Sequence, residues 1–120
     1  MKFAKAVFWI AGVFGVLLVA PLYFTFDLVG RQDPPPITHP QFYYGFVGVT
    51  LVWQIVYMTI GSDPVRFRPF MILATLAKAS YVATVAVLYL QDRVTAFQAS
   101  SGVPDAILAV LFVVAYLRLR

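Results

Sequence analysis

Lys78 stands in Met71-Ile-Leu-Ala-Thr-Leu-Ala-Lys78-Ala-Ser-Tyr-Val82, near the middle of an apolar run long enough to cross a membrane. An ammonium at that depth costs at least about 2.5–3.5 kcal/mol. Lys78 lies nine residues past Pro69, roughly 13 Å at 1.5 Å per residue, beyond comfortable snorkelling to the nearer interface. It therefore needs a partner, a water-filled cavity or the loss of its proton. The preceding apolar run supplies Gln54, six residues before Ile60, at a depth that differs from that of Lys78 by about one helical turn. Thr50, Gln54 and Tyr57 share one helical face by their spacing of four and three, and Thr75, Lys78 and Tyr81 share another. A short connection makes these two helices expected antiparallel neighbours. The spacing predicts a polar seam between them in the cytoplasmic half, with Lys78 donating to Gln54, Tyr57 or a backbone carbonyl. Trp53, one residue before Gln54, would add either dense core or the wall of an apolar pocket. The candidate ligand- or partner-binding set is thus Lys78, Gln54, Tyr57, Tyr81 and Trp53. No acid falls inside an expected span, so an acid on another subunit or on a bound ligand is expected to neutralise Lys78.

Other chemistry finds little support in the residues. There is no cysteine, which removes disulfides, thiolate metal sites and thiol redox chemistry. The single histidine, His39, cannot supply bis-histidine haem ligation and has no companions at metal-ligand spacing. It reads as an interface cap or a loop hydrogen-bonding group. No nucleophile elbow or Ser, His and acid set is present. The expectation is a protein that is not an enzyme and carries no cofactor or metal. The net charge of +4 does not point to nucleic acid, because no basic stripe with interleaved aromatics exists outside the spans.

The elements that position the candidate set follow from composition. Of the 120 residues 62% are hydrophobic and 12% are charged, against about 45–50% and 25% in ordinary globular chains. The mean hydropathy of +0.85 belongs to a chain built for lipid. A hydrocarbon core near 30 Å needs about 20 apolar residues in a helix. Four such runs are present, at about 3–24, 41–60, 69–90 and 104–119, within one domain spanning 1–120. Pro21 predicts a kink or an irregular final turn in the first. Asp33-Pro34-Pro35-Pro36 predicts extended, polyproline-like chain. Ser62 or Asp63 is placed to cap a turn, and Asp105 stands favourably at a helix N-terminus. Residues 1–20 resemble a signal peptide in having Lys2 and Lys5 before an apolar run, but cleavage would leave an odd number of spans. They are expected to remain as the first one.

Orientation follows from the basic residues. With the N-terminus inside, Lys2, Lys5, Arg66, Arg68, Arg118 and Arg120 are cytoplasmic, and Arg31 and Arg93 are outside. Asp27, Asp33, Asp92 and Asp105 also fall outside, leaving Asp63 within. The predicted fold is an all-α, integral membrane, antiparallel four-helix bundle, N-in and C-in, in a bacterial inner membrane. Ala11, Gly12 and Gly15 in the first span, Gly45 and Gly48 in the second, and Ala79, Ala83 and Ala86 in the third mark close helix approach.

The stretch Thr38-His39-Pro40-Gln41-Phe42-Tyr43-Tyr44-Gly45-Phe46-Val47-Gly48-Val49, with Asp63-Pro64-Val65-Arg66-Phe67-Arg68-Pro69 after it, resembles a group of small uncharacterised bacterial four-span membrane proteins. The overall plan also resembles the DoxX-like membrane families, a likeness resting on span count. Neither resemblance carries an activity, a cofactor or a site residue. Small multidrug exporters are similar in length, but they rely on an intramembrane glutamate and this chain has no glutamate. The leading functional expectation is a non-enzymatic helper or structural subunit, lying in the lipid bilayer beside a membrane-protein partner or a second copy. The alternatives are a binding bundle for a lipid, quinone or other apolar molecule with Lys78 as polar anchor, and a small dimeric transporter.

Overall fold

The structure, a computed structural model, describes residues 1–119. Arg120, counted above among the cytoplasmic basic residues, lies outside the described residues. The elements are α1 (Lys2–Val19), a 3-10 helix (Ala20–Phe24), α2 (Phe26–Gln32), α3 (Pro40–Ser62), α4 (Arg68–Leu90), α5 (Ala96–Ala99) and α6 (Gly102–Arg118). Four helical stretches are long and apolar enough to cross a membrane: Lys2–Phe24, Pro40–Ser62, Arg68–Leu90 and Ala96–Arg118, each of 23 residues. At 1.5 Å per residue each is about 34 Å long, enough for a hydrocarbon core of about 30 Å. The fold is therefore the all-α helical bundle that the four apolar runs predicted. Ile10, Leu17, Ile107 and Val110 remain exposed on its outside, as lipid-facing residues should.

The breaks follow local chemistry. Pro21 sits at the start of the 3-10 helix, where its missing N–H and ring disrupt the α pattern of the preceding turn. The Leu22 carbonyl accepts from the Tyr43 hydroxyl at 2.6 Å, so the irregular turn is tied to α3. Asp63 ends α3 and its side chain accepts from the Arg66 backbone N–H at 3.3 Å, forming the turn into α4. Two connections differ from expectation. The region around 27–40 begins with the short helix α2, and the proline segment after it is bent, with a cis peptide between Pro34 and Pro35. The fourth span starts earlier than 104. Thr95 and Gln98 form a capping box for α5, and α6 begins at Gly102 with Pro104 in its first turn, a position that tolerates proline because its N–H is unpaired there anyway.

The helices pack as two antiparallel hairpins. α1 runs along α3 and α4 along α6, while α3 and α4 meet only sparsely. This corrects the expectation of a seam between the second and third spans. The physical reason lies in the small residues of α1. A Cβ on Gly12 would collide with Met58, and one on Gly15 with the Gln54 side chain, so α1 claims the face of α3 that carries Gln54. The hairpins join at the end nearest the chain termini. Phe8 of α1 stacks on Phe112 of α6 with centroids 4.3 Å apart, and Tyr57 of α3 lies 5.2 Å from Phe112. Ala4, Val7, Ala11, Ile60, Met71, Ala74 and Ala115 complete this cluster. Arg68 forks onto the Tyr116 carbonyl at 3.2 and 2.9 Å with its guanidinium over the Tyr116 ring, covering the carbonyl end of α6 with positive charge. Toward the opposite end, where α2 and α5 lie, the space between the hairpins is a cavity.

Candidate functional site

This cavity has a volume of about 690 Å³ and takes its lining from α1, α3, α4, the start of α6 and the turns around them. That volume falls in the range of about 300–1,000 Å³ occupied by small-molecule sites. Phe14 and Leu18 of α1 and Phe46, Val49 and Trp53 of α3 give it apolar walls. The polar groups run along the side of it facing α4 and α6, from Tyr57 and Lys78 to Tyr81 and Ser101. All five residues singled out by sequence, Lys78, Gln54, Tyr57, Tyr81 and Trp53, line it.

Their pairing differs from expectation. Lys78 donates to Asp105 Oδ1 at 3.2 Å, across from α4 to α6. The ammonium also lies 5.1 Å from the centroid of the Tyr57 ring, within range of a cation–π contact. The acid that neutralises Lys78 is thus within the chain, not on another subunit or ligand. A fourth span that starts at 104 puts Asp105 at its outer end. With the helical stretch running from Ala96, Asp105 lies nine residues along it, at mid-depth. Helix α4 runs antiparallel to α6, and Lys78 stands ten residues past Arg68, so the two side chains differ in height by about one turn. The Lys78 side chain is 10% exposed and that of Asp105 25%.

Gln54 turns its amide along its own helix, with Nε2 donating to the Thr50 carbonyl at 2.8 Å. Its Oε1 is buried without a hydrogen-bond partner among the described residues. Tyr57 is 2% exposed and lines the cavity; its hydroxyl makes no hydrogen bond within the described residues. Tyr81 reaches the α6 side, its hydroxyl 2.7 Å from Ser101 Oγ. Ser101 gives its own proton to the Gln98 carbonyl, which leaves Tyr81 as the donor of that pair. The polar groups accordingly lie from the middle of the bundle toward its α2 and α5 end, whereas the sequence reading put the seam in the half nearer the termini.

Asp105 and Ser101 are the site residues that sequence reasoning missed. Thr95-Ala-Phe-Gln98 is a capping-box signature legible in the sequence, and it would have moved the start of the fourth helical stretch outward and Asp105 inward. Among the described residues no group of three His, Cys, Asp or Glu is arranged to hold a metal ion. His39 caps α3 by position but not by its side chain, and its ring lies 5.5 Å from that of Phe42.

No family model, curated protein or solved structure matches the chain. The likeness to DoxX-like families is neither supported nor opposed by these comparisons.

Proposed function

We propose that this chain is a multi-pass protein of the bacterial inner membrane, with both termini cytoplasmic, that binds a membrane-soluble apolar molecule between its two hairpins. It acts without catalysis, and Lys78 is the polar anchor. One observation carries this reading: residues chosen only for being polar or aromatic inside apolar spans all line a single cavity of about 690 Å³ with apolar walls. A cavity of that size with a few convergent polar groups is the usual form of a small-molecule site. Purification in a mild detergent followed by native mass spectrometry tests it. A retained small molecule that is lost from Lys78→Met and Trp53→Ala supports binding. A bare chain that takes up no apolar ligand overturns it.

The helper-subunit reading keeps one supporting feature. The small residues of α1 are spent inside the hairpin, where Gly12 and Gly15 face α3, but Ala79, Ala83 and Ala86 of α4 are exposed. A foreign membrane protein present at equal stoichiometry would favour that reading. A homodimer without bound ligand would favour transport.

A further inference from the structure

Resting on the binding reading above, we infer that the cavity takes an uncharged single-chain amphiphile whose head both donates and accepts hydrogen bonds, such as the hydroxyl-bearing glycerol ester of a fatty acid. Its head would sit among Lys78, Asp105 and Tyr57, and its chain along Phe14, Leu18, Phe46 and Val49. The reasoning starts from net charge. Lys78 and Asp105, 3.2 Å apart, sum to zero whether the proton resides on the amine or the carboxyl. An anionic head would leave one uncompensated negative charge in a place largely removed from water, and a cationic head one positive charge; either is strongly unfavourable. Hydrogen-bonding capacity narrows the class further. The ammonium has three protons and Asp105 Oδ1 takes one. The Tyr57 hydroxyl donates to no protein group among the described residues. On the accepting side, the second oxygen of Asp105, whose side chain keeps 25% of its exposure, makes no hydrogen bond among the described residues and is open to the cavity that Asp105 lines. A pure acceptor, such as an ester without a hydroxyl, satisfies the donors alone. A hydroxyl beside a carbonyl satisfies both sets, and a polar group left unpaired in a poorly hydrated site weakens binding.

Trp53 in the cavity wall supplies the readout. In Trp9→Phe it is the only tryptophan, and a brominated acyl chain lying against it quenches its emission. The purified protein in detergent is titrated with a monoacylglycerol carrying a brominated chain and with the fatty acid of the same chain, at a pH where the free carboxylate is ionised. The monoacylglycerol is expected to quench saturably at about tenfold lower concentration or better. Asp105→Asn, which leaves Lys78 without its counter-charge, is expected to reverse that order in favour of the fatty acid. Equal or tighter binding of the fatty acid to the protein with Asp105 in place overturns the assignment of the head while leaving the cavity a binding site. An unchanged order in Asp105→Asn also overturns it, because charge balance would then not be the selecting feature. Failure of both amphiphiles to quench saturably overturns the binding reading itself. Native mass spectrometry of the unsubstituted chain with the same two amphiphiles gives the same comparison without a variant.

Discussion

A lysine and an aspartate in lipid are each costly alone and tolerable together, so the two must be altered as a unit to learn what they do. Lys78→Met leaves Asp105 facing the cavity without its partner. It is expected to destabilise the protein by about 1–3 kcal/mol, less than a fully buried pair because Asp105 keeps a quarter of its exposure. Lys78→Met combined with Asp105→Leu is expected to regain most of that loss, and thermal unfolding in detergent measures both. A second pair is coupled by shape. Gly15 lies where any Cβ would strike the Gln54 amide, so Gly15→Ala is expected to lower stability by about 1–3 kcal/mol through overpacking. In a Gln54→Ala background the same substitution is expected to be nearly harmless, a non-additivity that a double-mutant cycle reads directly. At this scale the sequence was informative about which residues belong together, since polar groups in apolar runs are conspicuous. It was less informative about partners. Depth matches Lys78 to Gln54, but Gln54 bonds to its own helix and Lys78 to an acid whose depth depends on where one helix starts.

Helix ends determined most of what was misjudged. The four spans were visible from hydropathy because each needs about 20 apolar residues, and Pro21 announced the 3-10 turn that ends the first. The fourth was misplaced because Ser100-Ser101-Gly102-Val103-Pro104 has the composition of a break, yet proline is compatible with the first turn of a helix. Pairing of the helices was also misread. Short connections fix who follows whom along the chain, but the glycines of α1 decided which face of α3 was taken. One helix end carries its own prediction. After α4 the chain reverses with Asp92 at φ 58, the Arg93 N–H bonded to the Leu88 carbonyl and the Asp92 N–H to that of Tyr89. This is a Schellman arrangement with aspartate at the left-handed position that usually holds glycine. Asp92→Gly is expected to raise stability by about 0.5–1 kcal/mol, and Asp92→Val to lower it, as followed by the unfolding temperature.

Taken whole, the molecule is joined at one end and parted at the other. The core of Phe8, Tyr57, Met71 and Phe112 holds the hairpins together near the termini. Across the far side the Gln98 amide donates to Asp33 Oδ1 at 2.6 Å, linking the connections of the two hairpins over the end of the cavity. That packing of the spans at one end only could not be read from hydropathy, which scores each span separately and is blind to where along their length two spans touch. It has a consequence for how the chain is made. Each hairpin is two spans and their connection, with its closest packing internal, so the first can enter the bilayer complete before the second is synthesised. The covalent link between them, from Asp63 to Phe67, is a turn with Val65 and Arg66 exposed and Pro64 buried beneath it. The two halves, expressed as separate polypeptides divided at Val65, are expected to reassemble through the aromatic cluster and copurify. Phe112→Ala in the second fragment should abolish that recovery. Recovery of only one fragment would mean that the turn itself, and not the aromatic face, holds the hairpins together. The gene could thus be read as two insertion units fused in tandem, whose meeting face is a few rings near one edge of the membrane.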